Sequence, residues 1–251
     1  MESDQMRSSR HEFPIRPSRT ALILGAIAAV LALISLGMQL LYYLGGHTNL
    51  FGLVPYFNID NESNIPTLFA VMLLLFAALL LFIIYILDKK RGMHRSWMWG
   101  ILAAGFLFLA IDEFVCIHEK WIKPMRNILG PEAPAILHYS WVLPGLVIVL
   151  VVLVFFLPFW MRLPARTRIH TAAAAVLYIG GAVGMEMVCG SYVKQYGNAN
   201  LTFNILVTIE ESLEYAGVIL FIYGLLRYAA DTYELITLQL ASVGREKDQI
   251  S

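Results

Sequence analysis

The stretch AIDEFVCIHEKW holds Asp112, Glu113, His118 and Glu119 at the end of an otherwise uncharged apolar run. Glu186 stands between Met185 and Met187, and Glu210, Glu211 and Glu214 crowd into IEESLEY. His138 and Ser140 follow a turn-rich segment. Carboxylates gathered in an apolar setting cannot all stay ionised without compensation by protons, basic side chains or a metal. Carboxylates with a few imidazoles suit iron, manganese or zinc. The expected metal ligands are Asp112, His118, Glu119, His138, Glu186, Glu210 and Glu214, with Glu113 and Glu211 behind them as catalytic acid–base groups.

Two chemistries fit this set. Metal-bound water with a glutamate base would hydrolyse a substrate, and His47, His118 and His138 could supply a three-histidine zinc site. Two irons bridged by carboxylates would instead do oxidative chemistry, but helical di-iron sites use a Glu-x-x-His pair. This chain has none; its spacing is Glu113-x4-His118-Glu119. Copper, through Cys116, Cys189, Met185 and Met187, suits so acidic a set less well. Ser140 is a weak nucleophile candidate.

The elements that must position these residues are membrane helices. Of the 251 residues, 59% are hydrophobic and only 14% are charged, against about 25% charged in soluble domains. Several apolar runs reach the roughly 20 residues that span a bilayer. The pattern predicts an all-α bundle of six transmembrane helices at 20–44, 66–87, 97–118, 135–160, 171–193 and 203–228. A basic cytoplasmic tail (1–19) precedes this domain (20–228), and an amphipathic helical tail (229–251) follows it. Pro66 suits a first helical turn. The first apolar run is longer than a signal h-region and lacks a small-x-small cleavage site, so it is expected to stay as a span.

Orientation follows from Lys and Arg. Fourteen lie in the two tails, the loops between spans two and three and spans four and five, and, as Arg227, at the end of the sixth span beside the second tail. Four, Lys120, Lys123, Arg126 and Lys194, lie on the other side. Both termini are therefore expected in the cytoplasm, in a bacterial inner membrane. The short basic loops leave no nucleic-acid footprint.

In this frame every acid and histidine within spans three to six falls toward the outer side, whereas WGILAAGFLFLAI and VLPGLVIVLVVLVFF are bare. At about 100° per residue, a continuous third span would put Asp112, Cys116 and Glu119 on one face. Gly217 extends the glutamate stripe of the sixth span and would permit close packing. Intramembrane charges normally face a bundle interior and mark function. The sequence thus predicts a metal-dependent membrane enzyme acting on a lipid or other apolar substrate from the bilayer. The alternatives are an accessory subunit, its protein partner unspecified, or a proton or cation transporter. One-sided polarity weighs against transport.

Overall fold

The computed structural model describes residues 16–46 and 52–233. The described chain is all helical, without strands. Helix α1 spans Pro17–Tyr43, α2 Val54–Phe57, α3 Ile65–Lys90, α4 Trp97–Val115 and α5 Ile122–Leu129. Helix α6 spans Val142–Trp160, α7 Ala165–Ile179, α8 Glu186–Tyr196 and α9 Leu201–Thr232. A π-helical turn, Gly180–Met185, joins α7 to α8 in one rod. Among the described residues five helices are long and apolar enough to cross a membrane: α1, α3, α4, α6 and the α7–α8 rod. Their exposed apolar flanks, such as Val147, Leu150 and Val154 on α6, fit an integral membrane location.

Helix α9 is the axis of the packing, touching α1, α3 and α7. It is 32 residues long, enough to exceed the hydrocarbon core at 1.5 Å per residue. Its close approach to α7 rests on missing side chains. A Cβ on Gly217 would stand 2.7 Å from the Tyr178 backbone nitrogen and 2.9 Å from the Ala174 carbonyl oxygen. On α1, Leu31, Ser35 and Gln39 recur every fourth residue as its buried stripe.

The two ends of the bundle differ chemically. At the basic end, buried Asp88 accepts from Trp99 Nε1 at 2.9 Å and from the Tyr233 hydroxyl at 2.7 Å. Arg91 donates to the Thr232 carbonyl at 2.9 Å and covers the Tyr233 ring. This latch pins the end of α9 to α3 and α4. The opposite end carries the acids. Between them Phe106 and Phe221 stack at 4.7 Å, above fully buried Ile222 and Leu225.

Several boundaries correct the sequence expectation. The third span ends at Val115, not 118, because Cys116 adopts the left-handed conformation at φ +54°. The helical-face argument that joined Cys116 and Glu119 to Asp112 therefore fails; both lie beyond the helix. The fourth span begins at Val142, leaving His138 in a connecting segment after a 3-10 turn, Ala135–Leu137. The helix of the fifth span starts earlier, at Ala165, and the short helix α5 was not anticipated. Of the expected 229–251 tail, the helix continues to Thr232 and Tyr233 turns extended; residues 234–251, like most of the 1–19 tail and His47, lie outside the described residues.

Candidate carboxylate–histidine site

The break at Cys116 builds the site. Asp112 and His118 are six residues apart, so an unbroken helix would turn them to different faces. The left-handed turn folds His118 back instead. Its backbone N–H donates to Asp112 Oδ1 at 2.9 Å, and its Nδ1 pairs with Asp112 Oδ2 at 2.8 Å. The ring packs on Trp141, with centroids 4.7 Å apart. Trp141 Nε1 donates to Glu186 Oε1 at 2.8 Å. Glu186 lies within hydrogen-bonding reach of Glu210, whose Oε2 accepts from Cys189 Sγ at 3.1 Å. Asp112, His118, Glu186 and Glu210 thus form a continuous chain across α4, the 116–141 segment, α8 and α9.

A second group adjoins the first. Glu113 lies near enough to Glu62, Glu211 and Glu214 for their charges to interact. The Tyr215 hydroxyl donates to the Pro66 carbonyl at 3.4 Å and reaches Glu211. Gly181, inside the π turn, lets α9 come close. A Cβ there would stand 2.8 Å from both the Glu210 carbonyl oxygen and Glu214 Cγ. The π turn also sets the direction of Glu186, which follows it immediately. Such turns recur at functional sites.

Two expected ligands stand apart from these groups. Glu119 is exposed, its charge within range of Asp60 and Glu62. His138 faces Arg126 and Lys194, and burial together with those two cations lowers its pKa. Ser140 is fully buried, its hydroxyl donating to the Leu137 carbonyl at 2.8 Å. Cys116 and Cys189 are both free thiols. Burial and contact with Glu62 push the Cys116 pKa up to about 12, so it stays a thiol.

Sequence reasoning missed Asp60, Glu62, Trp141 and Tyr215. Asp60 and Glu62 sit on a loop held over the site by side-chain amides. Asn64 Nδ2 donates to the Asn58 carbonyl at 2.6 Å, and the Ile59 N–H donates to Ser35 Oγ at 3.0 Å. Burial, and then the neighbouring acids Glu62, Glu186 and Glu119, raises the Asp60 pKa. A findable signal existed: two more acids in a loop on the acid-bearing side. For His118, burial opposes the cation, but the Asp112 carboxylate outweighs it and raises the pKa.

Among the described residues the ion pairs are His118–Asp112 and Arg227–Asp231. No Lys or Arg there pairs with an acid of this layer. Nor do three His, Cys, Asp or Glu side chains there meet at metal-ligand geometry; the carboxylates are turned to Trp, Tyr and Cys donors. His118 Nε2 makes no hydrogen bond there either, which leaves it open for a ligand.

A family model described as Domain of unknown function (DUF8692) matches residues 20–229. No curated protein and no solved structure matches the chain.

Proposed function

Because the chain belongs to the family described as Domain of unknown function (DUF8692), the site itself must carry the reading, and we propose that it is a membrane metalloenzyme acting on a lipid or other apolar substrate. The observation that supports this reading most is His118, held by Asp112 through Nδ1 with Nε2 open. A carboxylate that fixes one imidazole nitrogen is the usual support of a metal-binding histidine.

In this reading α9 is a sixth span, the basic end faces the cytoplasm with both termini, and the acids lie near the outer surface of a bacterial inner membrane. His118, Glu186, Glu210 and Glu214 would hold the metal, Glu186 and Glu210 exchanging for it the hydrogen bonds they now accept from Trp141 and Cys189. Asp112 orients His118. Glu113 and Glu211 would take and give protons beside the metal. A donor set of several carboxylates and one imidazole suits iron or manganese better than zinc, since His138 faces the cations Arg126 and Lys194. The bound metal would supply a Lewis acid or redox centre; the chain's residues position it and hold protons.

The reading of proton-sharing carboxyls, in a transporter or accessory subunit, draws on the closeness of Glu186 and Glu210. Against transport stand the stacked Phe106 and Phe221 and the buried Ile222 and Leu225 between the two ends. Elemental analysis of protein purified without chelators separates the readings. Stoichiometric iron, manganese or zinc, lost in Glu210→Ala, is the expected result. Protein that binds no metal even after reconstitution would sink the enzyme reading.

A further inference from the structure

Beside the acid layer lies a second cleft of opposite character. It holds about 490 Å³ and is lined by Arg126, Asn127, His138, Lys194 and a rim of Pro, Ala, Gly and Leu, with no acid in its wall. Among the described residues four Lys and Arg, Lys120, Lys123, Arg126 and Lys194, lie on the segments at this end of the bundle, and two of them converge here. Neither is neutralised by a carboxylate. Arg126 donates to the His138 carbonyl oxygen, and Lys194 Nζ to the Ala133 carbonyl oxygen at 2.8 Å. A guanidinium has five N–H donors and an ammonium three. Both therefore keep donors to spare while their positions are fixed.

The walls are rigid. Gly130, at φ +78°, turns the chain out of α5. A Cβ on Gly190 would stand 3.1 Å from His138 Cβ and 3.2 Å from Tyr139 Cδ2, so α8 presses directly on the segment carrying His138. That same segment runs on to Trp141, which touches His118 and Glu186. The cleft and the carboxylate site share this wall. The cleft also lies beyond the ends of α4 and α6, where a bilayer crossed by these helices would carry its headgroups. Trp121, Ile128 and Ile136 beside it are 51%, 75% and 47% exposed, as residues dipping among acyl chains would be.

We infer that this cleft is an anion site that seats the phosphate-bearing headgroup of a lipid, so that the adjoining carboxylate–histidine site acts on an anionic lipid. Arg126 and Lys194 supply charge-assisted donors to the phosphate. His138 adds an imidazole N–H, and the exposed apolar rim receives the first part of the acyl chains. The substrate role rests on the metalloenzyme reading; the anion site itself does not.

The test is calorimetric titration of the full chain in a neutral detergent with three probes: a short-chain phosphatidic acid, the matching diacylglycerol, and inorganic phosphate. Phosphatidic acid should bind at least about tenfold tighter than the other two, a factor worth about 1.4 kcal/mol. Arg126→Gln and Lys194→Gln should each weaken it about tenfold or more, the range of one hydrogen bond to a charged group. Asn127→Asp, which adds an acid to the wall while sparing both braces, should do the same. Lys123→Gln, a basic residue of the same end outside the cleft, should not. Equal binding of diacylglycerol, or no loss in Asn127→Asp, would overturn the site. Phosphate binding as tightly as the lipid would overturn its lipid assignment. Metal content is read on the same samples. Lipid binding without metal would fail the enzyme reading and leave the cleft standing; metal retained in variants that lose lipid separates the two sites.

Discussion

Gly181→Ala should loosen the candidate site from behind, and its neighbour Gly184→Ala supplies the control. Both glycines lie in the π turn before Glu186. The new methyl at 181 would meet the Glu210 carbonyl oxygen at 2.8 Å, Glu214 Cγ at 2.8 Å and the Glu214 backbone nitrogen at 3.2 Å. Two of these are backbone atoms of α9 and cannot turn away. Ordinary contact begins near 3.5 Å, so α9 must retreat by more than about half an ångström. Overpacking of this kind costs about 1–3 kcal/mol, partly offset by about 0.5–1 kcal/mol from replacing a helical glycine. The net loss is about 1–2 kcal/mol. At about 2–4 °C per kcal/mol for a chain of this size, Tm should fall by roughly 2–8 °C. At Gly184 nothing lies within 4 Å of the added Cβ, so that variant should match or slightly exceed the parent. Thermal unfolding of all three proteins in one detergent reads the difference, and metal content should drop only in Gly181→Ala. A Gly181→Ala protein as stable as Gly184→Ala would refute the close approach of the π turn to α9.

Three further outcomes are expected. Asp112→Asn keeps the shape of the side chain but loses the charge that holds His118; metal affinity, measured by chelator competition, should fall about 10–100-fold, and an unchanged affinity would remove Asp112 from any supporting role. Asp88→Ala strips the acceptor from both Trp99 and Tyr233 and should cost at least about 2 kcal/mol in thermal unfolding; a loss within error would show that the latch does not hold α9. Asp60 has a raised pKa, from burial first and neighbouring acids second, so its ionised form weighs against the fold above that value and not below the unfolded value near pH 4. In chelator-treated protein Asp60→Asn should therefore be more stable than the parent at about pH 8, with the gain fading toward about pH 4; a gain independent of pH would refute the assignment.

The membrane-helix character was legible because it rests on composition and length, and α3, with Pro66 at its start, lies within three residues of the expected 66–87. The close packing expected at Gly217 was legible too, since a glycine on the glutamate stripe has few other uses. The joining of Asp112 to His118 was not. It depends on one left-handed residue, Cys116, and cysteine carries no turn signal; a helical wheel carried through it assigns the wrong faces. His138 was misplaced for a related reason: apolar residues from Ala135 onward read as helix, while the chain makes a 3-10 turn and delays the helix to Val142. The loop acids Asp60 and Glu62 were overlooked because loop acids usually face water. Here a backbone bond to Ser35, on another helix, folds their loop inward.

The distribution of positive charge is what makes the acid layer a problem in need of an external answer. Two carboxylates about 4 Å apart repel by about 4 kcal/mol even at an effective dielectric of 20, and whole domains are stable by only about 5–15 kcal/mol. Several such neighbours, all ionised, would exceed that margin. The nearby cations do not help: Arg126 and Lys194 are turned to backbone carbonyls in a separate cleft, and Lys120 and Lys123 are exposed. The layer must take up positive charge from outside the chain, as protons or as metal. Carboxyls that merely share protons need only one another, as Glu186 and Glu210 could. They gain nothing from an imidazole clamped at Nδ1 by Asp112, stacked on Trp141 and left open at Nε2. That clamp is what a metal-binding histidine would need, and it is the feature on which the proposed metal reading is preferred to proton sharing.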